Sequence, residues 1–133
     1  MKVVEVQEKK GIYVLSADNA KRYMEMVSPL QERYQLPGYI TENGLSCNDK
    51  IYLDGKIHDA DRIDFLERYL QAMERAMDHG ADVRGYFHWS LTDNLEWHSG
   101  YCDRFGLIYV DFRDQRRIPK DSYYWYGNRI NRK

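Results

Sequence analysis

The chain has 133 residues, of which 43% are hydrophobic and 31% are charged, and its formal net charge at pH 7 is −1. These values suit a single domain with a modest core, and they argue against nucleic acid or an anionic membrane as the main partner. No apolar run approaches the roughly 20 residues of a membrane span, and the N-terminal sequence lacks the apolar block of a signal peptide.

The two cysteines, Cys47 and Cys102, lie far apart in the sequence and in no metal-ligand spacing. They predict free thiols in a reducing, cytoplasmic compartment, with a single disulfide as the alternative. We expect neither a metal site nor a cofactor.

The N-terminal segment, residues 1–22, predicts a β-hairpin. Val3–Val6 and Ile12–Leu15 are β-prone runs, and the four residues before Ile12 supply a turn. Ser16 or Asp18 can cap a helix that runs toward Tyr34. Pro29 lies inside it and should kink or restart it, with Ser28 as the new cap and Pro29 at the first helical position.

The middle of the chain predicts a strand, a helix and a second strand. Gly38–Thr41 is a short buried strand that leads into Asn43-Gly44, a turn signal. Asp59 is suited to cap the helix, and Gly80 to stand just past its end. The second strand is Val83–Trp89. The apolar residues of the helix recur at steps of three and four and form one stripe: Ile63, Leu66, Leu70, Met73 and Met77.

Toward the C-terminus, Gly106–Phe112 is predicted to be extended, and Pro119 to open a last helix. About 40 residues separate the two central strands, which is enough for a crossover helix, so they are predicted to be parallel neighbours. The predicted fold class is therefore α/β, a partial (β/α)8 TIM barrel with the chain as one domain. A closed barrel needs eight strands and about 250 residues.

Glu42 stands at the end of the first central strand, where functional groups of βα folds gather. Its carboxylate could serve as a nucleophile or a general base. The alternative is a glutamate that is simply solvated at a strand end.

The segment after the second central strand combines aromatic planes with polar groups, as a pyranose site requires. Trp89 ends the strand; Asp93, Asn94 and Glu96 offer acceptors for hydroxyl groups, and the Trp97 indole offers a donor. The alternative is that the Asp93 and Asn94 side chains satisfy backbone groups of a long loop.

Two motifs give this sequence a specific resemblance. Tyr39–Gly44 contains I-T-E-N-G, a motif of family 1 glycoside hydrolases, the retaining β-glucosidase family. Trp89–Trp97, followed by Arg104–Leu107, is similar to their second motif almost residue for residue. The resemblance runs from about Met26 to Arg129 and is weak before it. It implies the last βα units of that family's barrel.

The resemblance also implies roles. Glu42 corresponds to the catalytic nucleophile on the seventh barrel strand. Trp89 ends the eighth strand and resembles the platform under the sugar, Glu96 and Trp97 resemble the residues that bind sugar hydroxyls, and Phe105 resembles a wall of the same subsite. A carboxylate at position 96 would repel a 6-phosphate, which favours unphosphorylated β-glycosides.

One expected group is missing from the sequence. Retaining glycosidases need two carboxyl groups roughly 5–5.5 Å apart, and the family's acid/base lies in an N-E-P motif, whereas this chain contains no Asn-Glu dipeptide. We therefore expect the nucleophile-bearing C-terminal part of a β-glucosidase, inactive alone, with self-association or a complementing chain. The alternative is a non-catalytic carbohydrate-binding or assembly module derived from that family.

Overall fold

A computed structural model describes residues 7–9, 12–14, 29–30 and 32–131 of the chain. Within these residues, no helix has the length and apolar character that crossing a membrane requires. The elements in chain order are β1 (Gln7–Lys9), β2 (Ile12–Val14), β3 (Gly38–Asn43), α1 (Ala60–Asp78), β4 (Val83–His88), β5 (Ile108–Asp111), β6 (Arg116–Pro119) and α2 (Asp121–Ile130).

The chain forms two compact units, which are described separately. The first comprises residues 1–43 and 67–88, and the second comprises residues 44–66 and 89–133.

In the first unit, β3 and β4 pair in parallel, which confirms that the two central strands are parallel neighbours. Their carboxyl ends coincide, because Asn43 pairs with His88. The Tyr86 hydroxyl donates a 2.7 Å hydrogen bond to Asn43 Oδ1, which joins the two strand ends through side chains as well. The fold is thus α/β, with α1 between two parallel strands.

The described residues contain the predicted antiparallel hairpin, and its first strand includes residues 8 and 9, which the sequence assigned to the turn. Strands β1 and β2 are antiparallel, and their last pair is Lys9 with Ile12. The predicted strand Val3–Val6 falls outside the described residues, as do the predicted caps Ser16, Asp18 and Ser28. Pro29 is helical, as predicted.

Helix α1 ends as the sequence predicts. Gly80 has a φ of +97°, a left-handed conformation that glycine adopts without strain. Its N–H donates to the Met77 carbonyl (2.9 Å), and the Ala81 N–H donates to the Ala76 carbonyl (3.0 Å). This double closure satisfies carbonyls that the helix end would otherwise leave unpaired.

The predicted apolar stripe of α1 is only partly right. Leu66 and Leu70 are buried, but Met77 is 43% exposed. The buried face includes Ala72 and Ala76, which are fully covered. The buried face of this helix therefore combines bulky residues with alanines, and it turns away from Met77 toward Ala76 in the last turn.

Asp59 was predicted to cap α1, and its side chain instead serves α2. Its backbone carbonyl accepts the first N–H bonds of α1, from Arg62 and Ile63. Its carboxylate accepts hydrogen bonds from the Ser122 N–H at 2.9 Å and the Ser122 hydroxyl at 2.5 Å. The side chain therefore satisfies an N-terminal amide of a helix that lies 63 residues further along the chain.

In the second unit, β5 and β6 form an antiparallel hairpin, of which only the first strand was predicted. Pro119 ends β6, and α2 begins two residues later, so the prediction that Pro119 opens the helix is wrong. Proline is tolerated at a strand end as well as at a helix start. The turn also escaped prediction, because its left-handed residue is Gln115 (φ 64°) rather than glycine or asparagine.

Shortening Leu70 should destabilise the fold, because its side chain is 94% buried (6% exposed). We expect Leu70→Ala to lower the free energy of unfolding by about 2–5 kcal/mol, measured by urea denaturation. Met77→Ala is the matched control on the same helix and should cost less than about 1 kcal/mol. Equal losses for the two variants would contradict the assigned buried face.

Candidate active site

Glu42 is the last but one residue of β3. Its side chain is exposed, whereas the neighbouring Asn43 is 5% exposed. Within the described part of the chain, no hydrogen bond or ion pair engages the Glu42 carboxylate. The carboxylate is therefore accessible at the carboxyl end of a parallel strand. Its role as nucleophile stays a prediction.

Trp89 and Glu96 are in direct contact. The Trp89 indole N–H donates a 3.0 Å hydrogen bond to Glu96 Oε1. Trp89 is 37% exposed, so part of the ring is covered and part is accessible. An aromatic plane beside a carboxylate suits a sugar, whose C–H face can stack while its rim hydroxyls donate hydrogen bonds.

A tight turn carries the remaining part of the motif. The Glu96 and Gly100 backbones exchange two hydrogen bonds of 2.8 Å, and Gly100 has a φ of +64°. Trp97 lies in this turn with a fully exposed side chain. Phe105 is partly buried, and its carbonyl accepts a 3.3 Å hydrogen bond from the Ser90 N–H, next to Trp89.

Asp93 is not available to a sugar, so the alternative interpretation of this residue is correct. It is 4% exposed, and its Oδ1 accepts hydrogen bonds from the Gly106 N–H (3.0 Å) and Lys120 Nζ (2.8 Å). Its Oδ2 accepts from Arg104 Nη1 (2.6 Å) and the Val110 N–H (3.3 Å). Four donors occupy the two oxygens and leave no site for a ligand hydroxyl.

Asn94 is also used within the loop. Its Nδ2 donates to Ser90 Oγ at 3.1 Å and to the Thr92 carbonyl at 3.3 Å. This hydrogen bonding closes the start of the loop on itself, as expected for asparagine in a long connection.

The Asp93 contacts extend into a buried ion network. Lys120 Nζ also lies 2.5 Å from Asp49 Oδ2, and Arg62 Nη2 lies 2.7 Å from the same oxygen. Arg62 in addition pairs with Asp59. The side chains of Arg62 and Lys120 are fully buried. We call this set the buried ion network; its members are the carboxylates Asp49, Asp59 and Asp93 and the cations Arg62, Arg104 and Lys120.

The network balances three negative with three positive charges. Balance matters because an unpaired charge in a protein interior costs several kcal/mol. Burial by itself lowers the pKa of Arg62, but the hydrogen bond and charge of Asp49 outweigh it and leave that pKa raised. Our sequence reasoning missed Lys120 and Arg62 in this role, because nothing local distinguishes a buried cation from a solvated one.

His58 forms a second charged contact in the same unit. Its Nδ1 lies 2.6 Å from Asp121 Oδ2, and its Nε2 lies 3.1 Å from Asp54 Oδ2. The hydrogen bonds to Asp121 and then Asp54 raise the pKa of the imidazole above its ordinary value. Tyr52 packs edge-on against the ring, 5.0 Å between centroids. His58 and Tyr52 also line an open polar cleft of about 440 Å³.

The described residues include no group of three or more histidine, cysteine or carboxylate side chains placed to hold a metal ion. Cys47 and Cys102 are both free thiols. Burial raises the pKa of the Cys47 thiol, which favours the protonated form.

The raised pKa of His58 predicts a pH dependence of stability. Because its folded pKa lies above the unfolded value of about 6.5, the stabilisation is complete below that pH and is lost as pH rises through the folded pKa. In urea denaturation, the free energy of unfolding of the wild type should therefore exceed that of His58→Gln by more at about pH 5.5 than at about pH 9. His98→Gln, which removes an exposed histidine outside this contact, is the matched control. An advantage that grows with pH would show that His58 is neutral in the fold.

A protein family and several known proteins are similar to this chain in sequence. The family model described as Glycosyl hydrolase family 1 matches residues 5–133, so the match reaches further toward the N-terminus than the two motifs do. A bifunctional β-D-glucosidase/β-D-fucosidase from Bifidobacterium breve is 51% identical over 107 residues, which cover 77% of this chain and 23% of that protein. β-Glucosidase A from Thermotoga maritima is 46% identical over 104 residues, which again cover 77% of this chain and 23% of that protein.

Solved structures agree with these relatives. The family 1 β-glucosidase from Thermotoga maritima matches with a TM-score of 0.82 at 42% identity, over 84% of this chain and 26% of that one. The same enzyme in complex with deoxynojirimycin gives the same values. The chain thus spans about a quarter of the length of the relatives that it matches.

Proposed function

Because this chain belongs to glycosyl hydrolase family 1, we propose that it forms the nucleophile-bearing C-terminal part of a retaining β-glucosidase. In this proposal the parallel pair β3–β4 corresponds to the last two strands of a (β/α)8 barrel. The observation that carries it is the parallel pair itself, whose strand ends Asn43 and His88 are paired. The exposed Glu42 precedes one of these ends, and Trp89 with the second motif follows the other.

The proposed chemistry is a double displacement. The Glu42 carboxylate attacks the anomeric carbon and forms a glycosyl ester while a carboxylic acid protonates the departing oxygen. The resulting carboxylate then takes a proton from water, which attacks the anomeric carbon and releases Glu42. The acid/base comes from a part of the barrel outside these 133 residues, because the chain contains no Asn-Glu dipeptide.

The proposed sugar subsite lies on the loop that follows β4. Trp89 provides the stacking face, Glu96 and Trp97 bind hydroxyl groups, and Phe105 forms a wall. The contact between the Trp89 indole and Glu96 Oε1 supports this assignment, since it aligns the carboxylate with the ring. The negative charge of Glu96 favours an unphosphorylated β-glycoside over a 6-phosphorylated one.

A second function is a non-catalytic module that binds sugars or assembles with other chains. The exposure of large apolar side chains on and beside the loop favours it. Large apolar side chains that are exposed in numbers on one loop are often covered by a partner. We propose self-association or a complementing chain as that cover. The most exposed of these side chains are Phe87, Leu91, Leu95, Trp97 and Tyr101.

The role of Glu42 can be tested in a complete barrel. We would replace the matching quarter of Thermotoga maritima β-glucosidase A with this chain. The chimera would then be treated with a fluorinated glycoside whose glycosyl-enzyme is hydrolysed slowly. Mass spectrometry should find the covalent sugar on Glu42 and none on the Glu42→Ala variant, because no other carboxylate reaches the anomeric carbon. Glu74→Ala, an exposed glutamate of α1, is the matched control and should label normally. A label on Glu96 would show that the nucleophile is misassigned.

The isolated 133 residues should not hydrolyse an aryl β-glucoside at a measurable rate. General acid–base assistance contributes about 10²–10⁴-fold, and the missing surroundings of the nucleophile cost more. In light scattering we expect a mass above that of the 16.0 kDa monomer. Robust turnover by the chain alone would mean that it contains an acid/base of its own, and a stable monomer would count against the proposed self-association.

A further inference from the structure

The loop that carries the proposed sugar subsite is held by its own two ends. The Leu107 N–H donates to the Ser90 carbonyl (3.0 Å), and the Ile108 N–H donates to the Leu91 carbonyl (2.9 Å). In the other direction, the Asp93 N–H donates a hydrogen bond to the Ile108 carbonyl (3.0 Å). The start of the loop is thus paired with the segment that leads into β5.

This pairing requires a glycine. A Cβ atom on Gly106 would lie 2.2 Å from the Asp93 nitrogen and 2.4 Å from the Thr92 carbonyl carbon. Both neighbours are backbone atoms and cannot swing away, so only glycine permits the approach. The two ends of the loop are therefore in contact at Asp93, three residues before Glu96.

At this contact, the charge of Asp93 is paired with Arg104 inside the loop and with Lys120 outside it. Lys120 is fully buried and places its ammonium between Asp93 and Asp49. Without that ammonium, the network would retain three carboxylates and two cations, a net charge of −1 in the interior. Asp93 would then keep Arg104 as its charged partner on one oxygen only, and a shift of the carboxylate toward Arg104 or toward solvent would disturb its bond to the Gly106 N–H.

We propose that Lys120, acting through Asp93, is a positioning residue for the sugar-binding loop and maintains the contact between Trp89 and Glu96. Lys120 itself is buried and touches no ligand. Its meaning for sugar recognition rests on the proposed function, whereas its effect on the loop is tested without any sugar.

The test uses the indole ¹H–¹⁵N resonance of Trp89 in the 133-residue chain. Glu96→Ala defines the position of this resonance when the hydrogen bond is lost. In Lys120→Met we expect the resonance to move toward that position. Lys56→Met, an exposed lysine of the same unit, is the matched control and should leave it at the wild-type position.

Hydrogen exchange gives a second measurement that tolerates self-association and global destabilisation. In Lys120→Met the paired amides of Glu96 and Gly100 should exchange on the order of tenfold faster or more, relative to the paired amides of β3 and β4 in the same sample. Uniform acceleration of both regions would show a merely structural role and overturn the proposal.

Two further variants keep the test decisive. If Lys120→Met does not fold, Asp93→Asn combined with Lys120→Met restores charge balance, and its Trp89 resonance should still be displaced because the ammonium contact is absent. A folded variant with the wild-type resonance and wild-type exchange at Glu96 would overturn the proposal. An inactive wild-type chimera would count against the proposed function alone, because neither measurement above depends on turnover.

Discussion

The bidentate engagement of the Asp93 carboxylate is the interaction on which the second unit depends. Its two oxygens accept four hydrogen bonds that come from the loop itself, from β5 and from the start of α2. Each of these donors is buried or partly buried, so each would lose a partner if the carboxylate moved. A carboxylate is suited to this task because its four lone pairs accept from several directions at once.

The second unit relies on ions because it has little apolar core. Its fully buried apolar side chains are few, with Ile57 and Leu66 the largest of them. Apolar contacts are non-directional, and they do not specify where a long loop must lie. Paired charges with several hydrogen bonds each do specify it, at the cost that each ion must keep its partner. Arg62 illustrates this, since it binds Asp49, Asp59 and two backbone carbonyls at once.

This arrangement divides the loop into a supporting part and a part for which sugar recognition is proposed. Asp93, Asn94 and Gly106 face inward and satisfy the protein's own groups, whereas Trp89 and Trp97 remain accessible. Residues only a few positions apart in the loop thus point in different ways: Asp93 and Asn94 point into the protein, and Trp89 and Trp97 point toward solvent. Rigid support beneath an exposed recognition surface is what precise positioning of a ligand requires.

The sequence by itself determined the elements with local signals. The alternation of short apolar strands with a capped amphipathic segment predicted the parallel pair, and the left-handed preference of glycine placed the end of α1 at Gly80. The two motifs indicated the family before any contact was known. Each of these signals lies within a few residues, where backbone sterics and side-chain periodicity act directly.

Only the tertiary structure decided which polar residues are buried. Lys120 meets Asp49 across 71 residues of sequence and Asp93 across 27, and Asp59 serves a helix that starts near residue 121. A lysine or an aspartate has the same local conformational preferences whether its charge is solvated by water or paired with an opposite charge. The choice depends on the free energy of pairing in the folded interior, which distant parts of the chain supply. For that reason the sequence left two roles open for Asp93, binding a sugar hydroxyl or satisfying the protein's own groups, and only the fold decided for the second.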